Sequence, residues 1–511
     1  MSRVNGYFPI LLNNLFARKN IIFFFFLELI VLVSFEKSFE EFSFKKIAIL
    51  FTAILIMIIF LGKKTHKNVF YIIATFGIMF SLMSPVFEIW DEPAHYTRAA
   101  YITEGHFGLS NEKKDHVVSD DIKVLEKVSR YTTRREKVLP NFFGTKLWNY
   151  THEENKSYEF RVPITNAYSL LGYIPSSLGL FVGKIISNGN LGVMFYLGRI
   201  FNVLFYALCA MMAVKFALKW NKIVAFFSLQ PMVIYISSSF NQDAFSYGLL
   251  LIIFGYFVNL LQKTEKSINF KNVLIYSGLC ALMAFTKLPY ITLAGLLIFI
   301  PKNKFKSTWT FMSGFVGILF VILTGIFWLL SYSKIIGNVP EPDVNMVEQL
   351  VYIMNNPQKT VQLVLTNLFG TINKYEQLSN FAWDRQYAPE LALVNLSLLL
   401  MPLIYPIKRF KEIPKITKIG VFLVSLVTMT LIYLSMYLSW DSVGSDIITG
   451  VQGRYFFGVL LFAPIFMNFS SYIGYSGIED NKAVEQENNL LVYIGVFLLI
   501  WAIAARVGVY Y

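Results

Sequence analysis

The sequence predicts an all-α integral membrane protein, a bundle of about 13 transmembrane helices with two large outer loops that carry interfacial helices. Three observations predict it. Hydrophobic residues make up 55% of the 511 positions and charged residues only 15%, a balance that ordinary soluble domains do not show. Several apolar runs approach the roughly 20 residues a helix needs to cross hydrocarbon. Lysines and arginines gather in short clusters between those runs, as cytoplasmic anchors do. The same clusters account for the net charge of +13, so nucleic-acid binding is not expected. Cys209 and Cys280 fall inside apolar runs and read as core residues without a disulfide.

Arg3, Arg18 and Lys19 precede a first run at roughly 20 to 35, which puts the N-terminus in the cytoplasm. That run ends in Ser34-Phe35-Glu36-Lys37-Ser38 without a small-residue cleavage pattern, so it reads as a retained helix. A second run at roughly 46 to 62 returns the chain to Lys63, Lys64 and Lys67, and a third at roughly 69 to 87 leads outward. The polar stretch from Glu88 to Ala167 is too long for a simple connection and forms the first outer loop. Tyr168 to Ser187 is apolar but broken by Gly172, Pro175, Ser176 and Ser177. If it crossed, the following lysines would lie outside, so it reads as interfacial or re-entrant.

The run holding Arg199, roughly 191 to 214, is then the next crossing. Helices at roughly 223 to 239 and 244 to 262 form a hairpin with Asn241-Gln242-Asp243 at its outer tip. A second hairpin, roughly 272 to 300, turns at Thr286-Lys287-Leu288-Pro289-Tyr290. The helix at roughly 308 to 331 reaches a second outer loop from Ser333 to Pro389, where Val344, Val347, Leu350, Val351 and Met354 recur at helical spacing. After a crossing at roughly 390 to 407, Lys408, Arg409, Lys411, Lys415 and Lys418 mark the inside. Helices at roughly 419 to 439, after Gly450, and at roughly 489 to 508 complete the bundle, with Glu479, Asp480, Glu485 and Glu487 in an inner linker. The chain divides into 1–87, 88–190, 191–332, 333–389 and 390–511.

Chemistry concentrates on the stretch from Ser84 to Arg98, SPVFEIWDEPAHYTR, where the third run stops at two adjacent carboxylates, a proline, a histidine and an arginine. Ionisable groups at such a mouth are more often functional than accidental. Asp91, Glu92, Asp243, Lys287, the Trp383-Asp384-Arg385 loop, Asp441 and Arg454 all map to the outer side, and convergence of the helix ends would bring them to one cavity. A helix beginning near Pro93 would bring His95 and Arg98 near Asp91; the plain alternative is that these residues cap a helix at the interface. His66, His95, His106, His116 and His152 show no zinc spacing, and no Gly-rich phosphate loop is present.

Asp91-Glu92-Pro93-Ala94-His95, with Arg98 and Gly105-His106 downstream, resembles the first-loop signature of a bacterial membrane-protein family catalogued as a domain of unknown function. Gln452-Gly453-Arg454-Tyr455 matches a second recurrent motif of that family and Asn241-Gln242-Asp243-Ala244 its acidic middle motif. The family is similar in layout to the GT-C glycosyltransferases, although two extra N-terminal helices before the first loop depart from the simplest GT-C order. The resemblance implies transfer of a sugar from a polyprenyl-phosphate donor to a cell-envelope glycan or lipid acceptor, at the outer face of the plasma membrane.

That chemistry needs a carboxylate to take the acceptor proton, for which Asp91 is expected and Glu92 is the alternate. It also needs a cation for the phosphate leaving group, for which Arg454 is expected with Lys287 as a second contact. A snorkelling role is the plain alternative for Lys287. Asp243 is expected to orient the acceptor, hold a metal with Asp91 or cap its hairpin, while His95, Arg98, Gln452 and Tyr455 support the site. Mg or Mn is an optional cofactor, since the resemblance does not settle metal use; scattered single acids argue against an obligatory one. Competing readings are a transporter or flippase of lipid-linked glycans, with Arg199 as its intramembrane charge, a glycan polymerase or ligase, and a scaffold without catalysis.

Overall fold

A computed structural model describes residues 64–109, 117–132, 146–153, 157–159, 165–335, 344–371, 397, 400, 413–467 and 491–503. The expected crossings at roughly 20–35, 46–62 and 390–407, the Trp383-Asp384-Arg385 loop, the linker through Glu479, Asp480, Glu485 and Glu487, and His116 lie outside them.

Helix α1, Thr65–Met83, stops one residue before Pro85 restricts the backbone, and Ser84 is extended at φ −74°, ψ 125°. The chain then turns sharply, with Phe87 and Asp91 at φ 59° and 60°, and enters α2, Glu92–Thr103, with Pro93 in its first turn. The segment expected as the first outer loop adds a short antiparallel pair, β1 (Val117–Ser119) with β2 (Ser157–Glu159), flanking α3 (Asp121–Thr132). Tyr168 to Ser187 becomes a 3₁₀ turn, Leu170–Tyr173, running into α4, Ile174–Ile186. At 13 residues, α4 is about 20 Å long and falls short of the roughly 30 Å of hydrocarbon. It lies along α5, Leu191–Phe216, so closely that a Cβ at Gly179 would stand 2.4 Å from the Leu197 carbonyl oxygen.

Helix α5 is the axis on which α1 and α8 (Asp243–Gln262) also pack. The single crossing expected at roughly 223 to 239 is instead α6 (Asn221–Ser228) and α7 (Pro231–Ser237). The break falls at Leu229-Gln230 because Pro231 holds the preceding residue extended and has no N–H to continue the ladder. The second hairpin is also altered. Helix α9, Phe270–Ala284, begins at an Asn269 capping box, but the return strand of the hairpin is a 12-residue 3₁₀ run, Leu288–Phe299. At about 2 Å per residue that run reaches about 24 Å, further than an α-helix of equal length.

Helix α10, Thr308–Tyr332, leads to α11 (Met346–Asn355) and α12 (Pro357–Gly370) in the segment expected as the second outer loop, where Val347, Leu350, Val351 and Met354 form the expected stripe and are exposed. Helix α13 spans Lys415–Ser439, and a 3₁₀ turn, Gly453–Phe456, opens α14, Phe457–Phe466. Helix α15, Leu491–Ile503, closes the described chain. Among the described residues five helices, α1, α5, α8, α10 and α13, are long and apolar enough to cross a membrane. The other expected crossings among the described residues are shorter or broken, so the count of about 13 is not reproduced by full-length helices.

Two apolar clusters hold the molecule together. The larger fills the helix bundle, where Cys209 and Cys280 are buried free thiols. The smaller, including Phe87, Tyr96, Tyr173, Phe195 and Phe240, fastens α2 and α4 to the head of α5. The Asp91 turn is thus built between two packed units.

Candidate functional site

Arg199 fixes the turn that carries Asp91. Its Nε and Nη2 donate to the two oxygens of Glu92 at 2.7 and 2.5 Å, and Nη1 and Nη2 also donate to the carbonyls of Ser81, Ser84 and Pro85 at 2.7–3.0 Å. Both side chains are fully buried. One guanidinium therefore ties the end of α1, the Pro85 turn and the start of α2 into a single piece. Glu92 is consequently poorly placed to be the alternate base, since both its oxygens are bonded to Arg199 and its side chain is fully buried. Glu88 is likewise buried and accepts from the Tyr235 hydroxyl at 2.7 Å.

Asp91 behaves differently. It occupies the N-cap position of α2 in the left-handed region, and its side chain makes no capping hydrogen bond. The plain capping reading is therefore excluded. The carboxylate instead accepts from Arg454 Nη2 at 2.5 Å, and it stays 40% exposed while Arg454 is 4% exposed.

Behind this pair lies a second one. Lys287 Nζ stands 2.7 Å from Asp243 Oδ1, with side chains 11% and 4% exposed, so Lys287 does not snorkel. Arg454 Nε is 3.9 Å from Asp243 Oδ2, linking the pairs. Asp243 also accepts from Gln242 Nε2 at 2.9 Å and the Tyr247 hydroxyl at 3.3 Å. Aromatic faces hold the cations: Lys287 lies over Tyr247 and Tyr455, and Arg454 over Trp90 and Tyr455. Arg454 Nε and Nη1 make no hydrogen bond, which leaves donors in a buried, cation-rich spot beside a half-exposed carboxylate.

Segments far apart in the chain meet here. Tyr290 donates to the Tyr455 carbonyl at 2.5 Å and accepts from Gly458 N at 3.1 Å, pinning the 3₁₀ turn that presents Arg454. A Cβ at Gly458 would stand 2.3 Å from the Tyr290 ring, so this approach requires glycine. The family model described as "Predicted membrane protein (DUF2142)" matches residues 74–463, which takes in Asp91, Asp243, Lys287 and Arg454. The chain belongs to that family. Membership agrees with the apolar helices in making this DUF2142 chain a membrane protein. No curated protein matches its sequence.

Within this DUF2142 site the remaining expected residues separate. His95 does not bond the Asp91 carboxylate; its backbone N–H donates to the Asp91 carbonyl at 3.2 Å, and its Nδ1 meets the Tyr173 hydroxyl at 2.8 Å. Burial pushes the His95 imidazole down to about 4 despite the nearby Asp91 and Asp243 charges. Arg98 turns to the Phe107 carbonyl and the Tyr101 ring and makes no bond to Asp91. Gln452 caps the 3₁₀ turn with its backbone carbonyl, which accepts from Tyr455 N at 3.0 Å. Asp441 stabilises its own turn through Thr449 and does not join the cluster.

Sequence reading missed Trp90, Tyr247 and Tyr290 as ring walls and anchors. Tyr247 was accessible as the residue one helical turn after Asp243, whereas Tyr290 had no signal beyond its closeness to Lys287. The donor set does not suit Mg or Mn, which need several free oxygens. Asp243 is occupied by donors, Asp91 by Arg454, and no group of three or more His, Cys, Asp or Glu gathers among the described residues.

Proposed function

We propose that this protein is a GT-C-type glycosyltransferase that moves a sugar from a polyprenyl-phosphate donor to a cell-envelope glycan or lipid. The site is proposed to face outward from the plasma membrane, with the N-terminus in the cytoplasm, on the strength of the lysine clusters. One observation carries the reading: a half-exposed carboxylate stands against a buried arginine whose N–H groups are not all used, with a second buried cation, Lys287, paired to Asp243 behind it. In the proposed reaction the acceptor oxygen attacks the anomeric carbon while Asp91 takes its proton, worth roughly 100- to 10,000-fold. The bond from that carbon to the phosphate oxygen breaks, and the electron pair stays on the phosphate. Arg454 and Lys287 stabilise the charge that develops there, in a spot where burial strengthens their effect. No step passes through a metal.

The transporter reading takes Arg199 as its intramembrane charge; the five bonds of Arg199 to Glu92 and three carbonyls support a structural role for it instead. A glycan polymerase or ligase would use the same base and cations, and differs only in the size of the group transferred. The test is reconstitution in nanodiscs with a panel of polyprenyl-phosphate sugars, polyprenyl-linked glycans and envelope acceptors. Transfer by the wild type that vanishes in Asp91→Asn and Arg454→Gln supports the proposal. Absence of transfer across the panel, with the lipid substrate moved between leaflets, would replace it with the transporter.

A further inference from the structure

Arg98 is 2% exposed, yet its bonding differs from that of the other two buried arginines described above. Arg199 has its carboxylate and three carbonyls, and Arg454 has Asp91 with Asp243 nearby. Arg98 forms no ion pair among the described residues. Its one hydrogen bond runs from Nη2 to the Phe107 carbonyl at 3.5 Å, the outer limit for such a bond, and Nε and Nη1 are buried without partners. The guanidinium carbon lies 5.7 Å from the centre of the Tyr101 ring, on which the His106 imidazole stacks at 4.5 Å. A buried cation left without an anion is costly, and a fold keeps one when something else supplies the anion.

The cover over Arg98 is thin. Phe107 belongs to the turn 104–108, every residue of which is exposed, and the positions where Gly105 and Gly108 would carry a Cβ have no described atom within 4 Å. One turn of α2 connects this spot to His95, whose partner Tyr173 feels the charges of Arg98 and of Asp91 and Asp243. We infer that Arg98, beside the Tyr101 ring, is a second anion-binding subsite that takes an oxyanion carried by the acceptor, either a phosphate or a sugar carboxylate. A planar guanidinium with unused donors matches both groups in geometry and charge. Assigning the oxyanion to the acceptor rests on the transferase reading; the binding of an oxyanion at Arg98 does not.

The experiment measures binding without turnover. Full-length protein in nanodiscs, without donor, is titrated with tri-glycerol phosphate, tri-galacturonate and neutral maltotriose, comparing wild type with Arg98→Gln and Arg98→Met. The wild type is expected to bind at least one acidic trimer, more weakly as salt rises, and each variant to lose roughly tenfold or more in that affinity. The acidic trimer that binds identifies the source of the oxyanion. Melting temperatures accompany the titrations, and both variants are expected to melt no lower than wild type, since they remove a charge the fold does not compensate. Equal affinity in wild type and variants, or no acidic binding by the wild type, overturns the inference. So does a fall in melting temperature as large as that of Arg199→Met, which would make Arg98 a structural residue. Acidic binding through Arg98 in a protein that transfers no sugar would sink the proposed function and leave this subsite standing.

Discussion

Replacing Asp91 by Asn is expected to abolish transfer and at the same time tighten the binding of bare polyprenyl phosphate. Asp91 accepts from Arg454 at 2.5 Å, so without donor it occupies a cation the phosphate needs. Entry of the phosphate must therefore displace the carboxylate, and that displacement frees Asp91 to act as a base. The magnitude follows from exposure. A hydrogen bond between two charged groups is worth about 1.5–3 kcal/mol when enclosed and an exposed ion pair about 0.2–1 kcal/mol. With Arg454 at 4% and Asp91 at 40% exposure, the competition is worth about 1 kcal/mol, or roughly fivefold in affinity. Asn suits the test because it tolerates the left-handed backbone that Asp91 adopts at φ 60°, whereas Ala would add strain of about 1 kcal/mol. The assay pairs titration with polyprenyl phosphate lacking a sugar against transfer measured with a complete donor. Unchanged or weaker phosphate affinity would refute the competition, and retained transfer would refute Asp91 as the base.

Other substitutions test the supports of the site. Glu92→Gln leaves Arg199 buried without its counter-charge and is expected to cost about 3–5 kcal/mol, whereas Glu92→Leu combined with Arg199→Met should recover much of that loss in melting experiments. Gly458→Ala drives a Cβ against Tyr290 and should cost about 1–3 kcal/mol while lowering transfer through a displaced Arg454. Acid should destabilise the protein through His95. Its folded value of about 4 lies below the unfolded value of about 6.5, so the unfolded chain binds the extra proton between them. Stability then falls as pH drops through that window, by at most about 3 kcal/mol, and His95→Phe should flatten the profile. His152 runs the other way. Its 2.6 Å bond with Asp121 raises the imidazole above its ordinary value. That contribution is full below about pH 6.5 and fades as pH rises through the raised value, and His152→Gln should remove it.

Much of the site was legible because ionisable residues are rare in apolar sequence and each one draws notice. Asp91, Asp243, Lys287 and Arg454 were each identifiable as a charge at a helix end, and the structure joins them. Which charge pairs with which was not legible, since pairing depends on crossing geometry and not on local pattern. Glu92 illustrates this. It follows Asp91 directly, yet one residue of helix rotates it from the open mouth to the wall of α5, where Arg199 waits. The bundle was legible in its long crossings, α5, α8, α10 and α13. It was less so at Pro231 and Pro289, where an apolar run of sufficient length is divided or wound as a 3₁₀ segment without any change in hydrophobicity.

The bonding of the arginines separates frame from chemistry better than burial does. Arg199 and Arg454 are both buried, both paired with an acid and both at the edge of the same turn. Arg199 spends donors on Glu92 and on three carbonyls, and a group so fully engaged cannot change partners without losing several bonds at once. Arg454 holds Asp91 by one nitrogen, approaches Asp243 without a hydrogen bond, and keeps Nη1 unbonded. The exchange of Asp91 for a phosphate oxygen therefore breaks one bond at Arg454 and can form two, because the planar fork accepts phosphate by adjacent donors. The same exchange at Arg199 would break both bonds to Glu92, and its three bonds to carbonyls leave no donor spare. The rigid arginine thus holds the backbone on which Asp91 is mounted, and the under-used arginine supplies the charge that a leaving phosphate needs.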